Sequence, residues 1–187
     1  MPADLFYFIS SLPALRWGEK PQLCYDAFLT ACQEQLGPEL TAQLKAISLI
    51  PGGQPASTTL AAWEDWETYL RNAIAESRAA KLRKNAAAWL RAGNGLYPGD
   101  RKRLEDALNQ PTPRDREHAI DLLRWQQLEH LAAMHQFDVA ALELYTLKLL
   151  LSEKHAGRNL DAGKKAYQQL VEQGINQAKE QQGSTSA

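Results

Sequence analysis

Apolar positions wrap around two consecutive stretches of the chain instead of lining one side. From Ala119 to Met134 they are Ile120, Leu122, Leu123, Trp125, Leu128, Leu131 and Met134; in the second stretch they are Val139, Leu142, Leu144, Leu147, Leu149, Leu150 and Leu151. Helices apolar on most sides are core helices. Thr112 can cap the first, with Pro113 at its first position and Asp115 and Glu117 adding negative charge in the first turn. Gln136 and Phe137 make the break, and Asp138 can cap the second. So short a connection predicts an antiparallel αα-hairpin over 113–155 as the floor of the core. Glu143 and Lys148 interrupt the second run, which is too short and too charged for a membrane span of roughly 20 residues.

The remaining periodicity is also helical. Leu5 to Leu12 is helix or strand; Pro13 ends it, and Arg16 to Pro21 is a polar turn. Tyr25, Phe28, Leu29, Cys32 and Leu36 predict a helix stopped by Gly37-Pro38, with both cysteines as core candidates, and a shorter helix covers about Pro38 to Ser48. Pro51-Gly52-Gly53-Gln54-Pro55 is a linker. Ser57, Thr58 or Thr59 then caps a long helix with Trp63, Trp66, Leu70, Ala73, Ser77 and Ala80 in a heptad-like stripe. That helix is expected to continue towards Trp89 and Leu90 before Gly93-Asn94-Gly95. A shorter one runs from Pro98 to about Asn109, and a last one from Asp161 to Ile175 turns Ala166, Tyr167, Leu170 and Val171 inward. The polar tail from Gln177 has too little apolar surface to offset its ordering entropy. The fold expected is therefore all-α, about six to eight helices: an N-terminal segment (1–50) packed with a main domain (56–176), and a disordered tail (177–187).

A formal charge of −1 and 44% hydrophobic residues fit an ordinary globular protein. Cys24 and Cys32, eight apart with no second pair, match neither a disulfide framework nor a zinc site, which favours a reducing cytoplasm. The apolar run Leu5 to Ile9 is too short for a signal sequence and follows Asp4.

Searches for chemistry mostly exclude. Pro51-Gly52-Gly53 has neither the spacing of a phosphate-cradling loop nor a following Lys-Ser or Lys-Thr, and the Glu-x-x-His pairs of a di-iron bundle are missing. His130 and His135 point to different helix faces, and His118 and His155, near helix ends, suit solvated or capping roles. Cys32 reads as a buried inert thiol. No acid, base and nucleophile converge, so no enzyme, cofactor or metal is expected. Charge distribution stands out: from Arg71 to Arg103 nine basic residues accompany two acidic ones. Arg78, Lys81, Arg83, Lys84, Arg101, Lys102 and Arg103 are the candidate contacts for an acidic protein partner. The commoner role of such a run is a solvated helix face, and nucleic acid ranks below a protein partner because aromatics do not interleave with the charges.

The stretch Tyr7-Phe8-Ile9-Ser10-Ser11-Leu12-Pro13-Ala14-Leu15-Arg16-Trp17-Gly18-Glu19-Lys20-Pro21 resembles the opening of an uncharacterised bacterial family encoded within V-type (V/A-type) ATPase operons, at the place where the gene for the C-type component would be expected. Leu70-Arg71-Asn72 with Arg78-Ala79-Ala80-Lys81-Leu82, and Leu123-Arg124-Trp125 followed by Phe137-Asp138 and Tyr145-Thr146-Leu147-Lys148-Leu149, are similar to that family in the same order. Asp115, Arg124 and Asp138 match its pattern loosely as functional positions. The resemblance implies a reduced relative of that C-type component (d-type in eukaryotes): an all-α, non-catalytic part linking the central rotor stalk to the membrane ring. Such a protein would be cytoplasmic, held at the inner membrane through the ATPase, with a role in ion or proton transport by coupling. The alternative is a free-standing helical adaptor or regulator that binds an acidic protein or nucleic acid through residues 71–103.

Overall fold

The computed structural model describes residues 3–93 and 97–158, with Gln169 and Val171. Among them are seven α-helices, one 3-10 turn and no strand: α1 Ala3–Ser11, α2 Tyr25–Leu36, α3 Pro38–Lys45, α4 Thr58–Lys81, the 3-10 turn Ala87–Trp89, α5 Pro98–Leu108, α6 Pro113–Ala132 and α7 Val139–Ala156. The chain divides into two compact units after His155. Of the second unit, Gln169 and Val171 are helical, and Val171 is exposed where an inward position was expected. The rest of the expected Asp161–Ile175 helix and the tail from Gln177 lie outside the described residues, as do Asn94 and Gly95.

The first unit is built around α7. No residue from Ala141 to Glu153 is exposed, and Leu142, Leu147, Leu149 and Leu151 have lost all contact with water. Each such burial stabilises the fold by roughly 1.5 to 3 kcal/mol. The helix starts at the expected cap, since Asp138 Oδ1 accepts from Ala141 N at 2.9 Å. α6 starts equally clearly, at Thr112 Oγ1, which accepts from Asp115 N at 3.1 Å. The two helices run antiparallel: the His118 and His155 rings lie 5.2 Å apart, Lys154 meets Asp121 at 3.1 Å, and Lys148 Nζ stands 5.1 Å from the centre of the Trp125 ring. Burial lowers the Lys148 ammonium, an effect Glu129 partly offsets.

On its other sides α7 meets the N-terminal half of the chain. Phe28 of α2 packs 5.4 Å from Tyr145, whose hydroxyl donates to Pro13 O at 3.0 Å. Glu153 Oε1 accepts from Tyr25 N at 2.7 Å, so a carboxylate of α7 caps α2, whose own N-cap Cys24 offers no side-chain bond. Leu5 and Phe8 of α1, Cys32 of α2 and Leu44 of α3 join Trp63, Trp66 and Leu70 of α4 in one core, so residues on both sides of the 51–55 loop share it. The stretch from Leu5 that could be helix or strand is helical. Gly37, at φ +89°, both ends α2 and precedes α3, a backbone state that side chains with a Cβ resist.

Ser57 caps α4 by accepting from Leu60 N, and its hydroxyl donates to Glu143 Oε2 at 2.6 Å, tying α4 to α7. Burial pushes the Glu143 carboxyl above its ordinary value of 4.5; the Ser57 bond opposes this and the Asp138 charge adds to it. A carboxyl raised in the folded state favours folding below its unfolded pKa and disfavours it as pH rises through the folded value. Glu143→Gln keeps an acceptor for Ser57, so its melting midpoint should exceed that of the native protein at about pH 7, with the gain vanishing near about pH 4. Thermal melts by circular dichroism at the two pH values check this; an equal gain at both would rule out a titration origin.

Four expectations are corrected. α4 stops at Lys81 and does not reach Leu90. Arg83 takes φ 54°, Lys84 N bonds to Ala79 O and Arg83 N to Ala80 O, closing the helix in a Schellman motif without glycine. The chain then turns back along α4, where Asn72 donates to Arg91 O and accepts from Arg91 N, and Gly93 comes so close that a Cβ would meet Thr68 at 3.0 Å. Second, the buried stripe of α4 passes from Leu70 to Ile74 and Ala79, leaving Ala80 exposed. Third, Cys24 is exposed, because it precedes α2 instead of lying on its inner face. Fourth, two ends of the wrapped pattern face water: Met134 is 86% exposed, since α6 ends at Ala132 before that turn of the pattern is complete, and Val139 is exposed as the first residue of α7.

Candidate functional site

The α4 and α6 helices carry charges where the sequence pattern calls for core. Glu67 and Asp121 have fully buried side chains, and Arg124 is nearly so. Arg124 joins them: Nε and Nη2 donate to the two oxygens of Glu67 at 2.9 and 2.8 Å, and Nη1 to Asp121 Oδ1 at 2.7 Å. Arg71 Nε adds a bond to Glu67 Oε1 at 2.7 Å, and Lys154 adds one to Asp121. The planar guanidinium satisfies two carboxylates at once, which an ammonium could not do with the same geometry. Burial works against the charged forms, yet Lys154 and Arg124 hold Asp121 below the usual carboxylate range, and Glu67 and then Asp121 raise Arg124. The group fastens α4, α6 and α7 together.

Above this network lies a cleft of about 550 Å³. Its walls bear Arg71, Arg78, Lys84, Arg91, Arg124 and Lys154 against the single carboxylate of Glu117, with Ile74, Ala75, Ala79, Leu82, Trp89 and Ile120 between them. Arg78 stands 3.9 Å from Glu117, and Arg91 Nη1 donates to the Pro51 carbonyl at 2.7 Å. Trp89 is 58% exposed and Leu82 67%. The turn that ends α4 at Arg83 and the Asn72–Arg91 bonds hold Lys84, Trp89 and Arg91 over the cleft.

The seven basic candidates do not share one surface. Arg78 and Lys84 line the cleft; Lys81 and Arg83 are exposed at the end of α4. Arg101, Lys102 and Arg103 belong to α5, and Arg101 lines a separate depression with Tyr69, Ala73, Glu76 and Ser77. Arg101 pairs with Glu105 at 3.2 Å; Arg103 bonds Gln126 and, at 2.9 Å, Asp100, whose other oxygen accepts from the buried Trp66 Nε1 at 2.7 Å. Sequence reasoning missed Glu67, Asp121 and Lys154. The available signal was Glu67/Arg71 and Asp121/Arg124 at helical spacing inside stretches otherwise read as core.

The other titratable groups are accounted for locally. Burial pushes the Cys32 thiol up to about 11, which suits an inert core residue. His135 Nδ1 lies 2.6 Å from Asp138 Oδ2, and His130 is exposed in the last turn of α6. His118 and His155 have a packing role beyond solvation or capping: their rings lie 5.4 and 4.9 Å from Trp17, which also meets Trp125 at 5.8 Å. Asp115 serves the α6 cap with Thr112. No group of three or more His, Cys, Asp or Glu among the described residues is arranged to hold a metal ion.

A family model described as "Protein of unknown function (DUF2764)" matches residues 103–177, less than half of the chain, running from α5 through α6 and α7. That description assigns no activity. No curated protein and no solved structure matches the chain.

Proposed function

We propose that the chain is a non-catalytic docking and coupling protein of a V/A-type ATPase, comparable to a reduced C-type component, which links the central rotor stalk to the membrane ring. The observation that carries this reading is the division of its charges. Inside, Glu67, Arg124 and Asp121 bind helices to one another; outside, cations outnumber the one wall carboxylate, Glu117, around a cleft. A body that transmits force needs a core that does not yield, and close packing with a charge-locked helix contact meets that need. Complementary charge fixes orientation at the contact. The resemblance of the Tyr7–Pro21 stretch and the later motifs to a family encoded in ATPase operons supplies the particular assembly. Among the described residues no helix is long and apolar enough to cross a membrane, so attachment to a ring would be through protein contacts.

The test is calorimetric titration of the full chain with purified rotor-stalk proteins of a V/A-type ATPase. Saturable binding that weakens steeply with salt is expected, because exposed charges are screened over about 8 to 10 Å at physiological ionic strength. Absence of binding to every stalk and ring protein would overturn the assignment. A second reading, an adaptor for acidic protein or nucleic acid outside the ATPase, is favoured by the exposed indole of Trp89 between Lys84 and Arg91.

A further inference from the structure

We infer that the cleft bounded by α4, the 3-10 turn and α6 receives an acidic peptide segment of a protein partner, with two or more Asp or Glu carboxylates beside an apolar side chain. The inference deepens the docking reading above and rests on it for the existence of a protein partner; the chemistry comes from the cleft. Six cations line it, and the carboxylates that face them are Glu117 on the wall and the buried Glu67 and Asp121 beneath, leaving a surplus of three positive charges. Arg124 and Lys154 are engaged by the buried carboxylates, Arg71 shares Glu67 and Arg78 stands 3.9 Å from Glu117, so the charges most open to an incoming group are Lys84 and Arg91, with Arg78 beside them. Arg91 uses one nitrogen on a neutral carbonyl, which satisfies a donor but leaves its charge in place.

The apolar lining requires more of the occupant than charge. Leu82 and Trp89 stand in water beside these cations, and an exposed Trp next to Arg is the composition of an interface anchor. The site is also preorganised. The Schellman closure at Arg83, the paired Asn72–Arg91 bonds and the Arg91–Pro51 bond hold the segment that carries Trp89, so little ordering remains for binding.

A phosphate group fits less well. Phosphate sites draw on backbone N–H groups at helix N-termini. Here α4 contributes its C-terminal half, whose carbonyl end favours cations, and the first turn of α6 is already capped by Thr112 with Asp115 adding negative charge. Single-stranded nucleic acid would use several stacking surfaces, and the cleft lining offers one aromatic ring.

The experiment titrates the full chain, by calorimetry, with a short Glu/Leu peptide, the matching Gln/Leu peptide, tripolyphosphate and single-stranded DNA. Saturable one-to-one binding of the Glu/Leu peptide is expected, and Arg78→Ala with Lys84→Ala, or Trp89→Ala alone, should weaken it about tenfold. These side chains are exposed, so melting curves should stay unchanged. Equal affinity for the Gln/Leu peptide, tighter binding of tripolyphosphate or DNA, or indifference to the substitutions would each overturn the inference. The same variants titrated with rotor-stalk proteins separate the two proposals. Undiminished stalk binding sinks the cleft and keeps the ATPase role; peptide binding without stalk binding keeps the cleft and sinks the ATPase role.

Discussion

Replacing Arg124 with Met should destabilise the folded chain by about 3 to 5 kcal/mol, since removing one partner of a buried ion pair leaves charge without compensation. Two carboxylates are affected. Glu67 would keep Arg71 and Asp121 would keep Lys154, both partly exposed, which places the loss toward the lower end of that range. Against a total stability of about 5 to 15 kcal/mol for a domain, it would still be a large fraction.

The pH dependence identifies the cause. Burial raises Asp121, but Lys154 and Arg124 outweigh it and leave its folded pKa below the unfolded value. Its contribution is therefore present above the unfolded pKa, near about 4, and is lost as pH falls through the folded one. The Met variant should differ most from the native protein near neutrality and converge with it in acid. Urea unfolding at several pH values measures this, and a constant difference across pH would mean that lost packing, not charge, was responsible. Adding Glu67→Gln and Asp121→Asn should recover part of the loss, because the remaining groups would no longer be buried charges.

This network also marks where the sequence stopped being informative. Thr112, Asp138 and the Gly37-Pro38 stop could be read because a cap or stop depends on residues a few positions away. The hairpin followed from apolar residues all around two helices with a short break. Glu67 and Arg124 are 57 residues apart, and nothing local says that they meet. Arg83 hid the end of α4 for a related reason. A left-handed closure is usually announced by glycine, and the alanines after Asn85 have high helix propensity, so the reversal depends on Asn72 and Arg91 meeting across nineteen residues. The basic run was legible as composition but not as a surface. α4 lies between its two parts, so Arg78 and Lys84 join Arg124 and Lys154 from distant helices, whereas Arg101 belongs to the α5 side.

Leu147→Asp is the second substitution expected to have a large effect. Leu147 is fully buried in α7, and neighbouring positions of that helix are occupied from every side: Glu143 by Ser57, Tyr145 by Phe28, Lys148 by Trp125 and Lys154 by Asp121. A carboxylate at 147 has no outlet to water. Loss of the apolar side chain alone, as in Leu147→Ala, should cost about 2 to 5 kcal/mol. The aspartate adds the desolvation of its charge, which it can limit only by taking up a proton; its folded pKa would then lie above the unfolded one. That sign makes the variant least unstable in acid and progressively worse toward neutral pH, the same direction as for Arg124→Met but from a raised carboxyl pKa instead of a lowered one. Leu147→Asn separates polarity from charge, since it should be destabilised by a similar amount at every pH. Urea midpoints for the three variants across pH provide the comparison, and an Asp midpoint equal to that of the native protein would mean that α7 has a solvent face at Leu147 and does not form the centre of the fold.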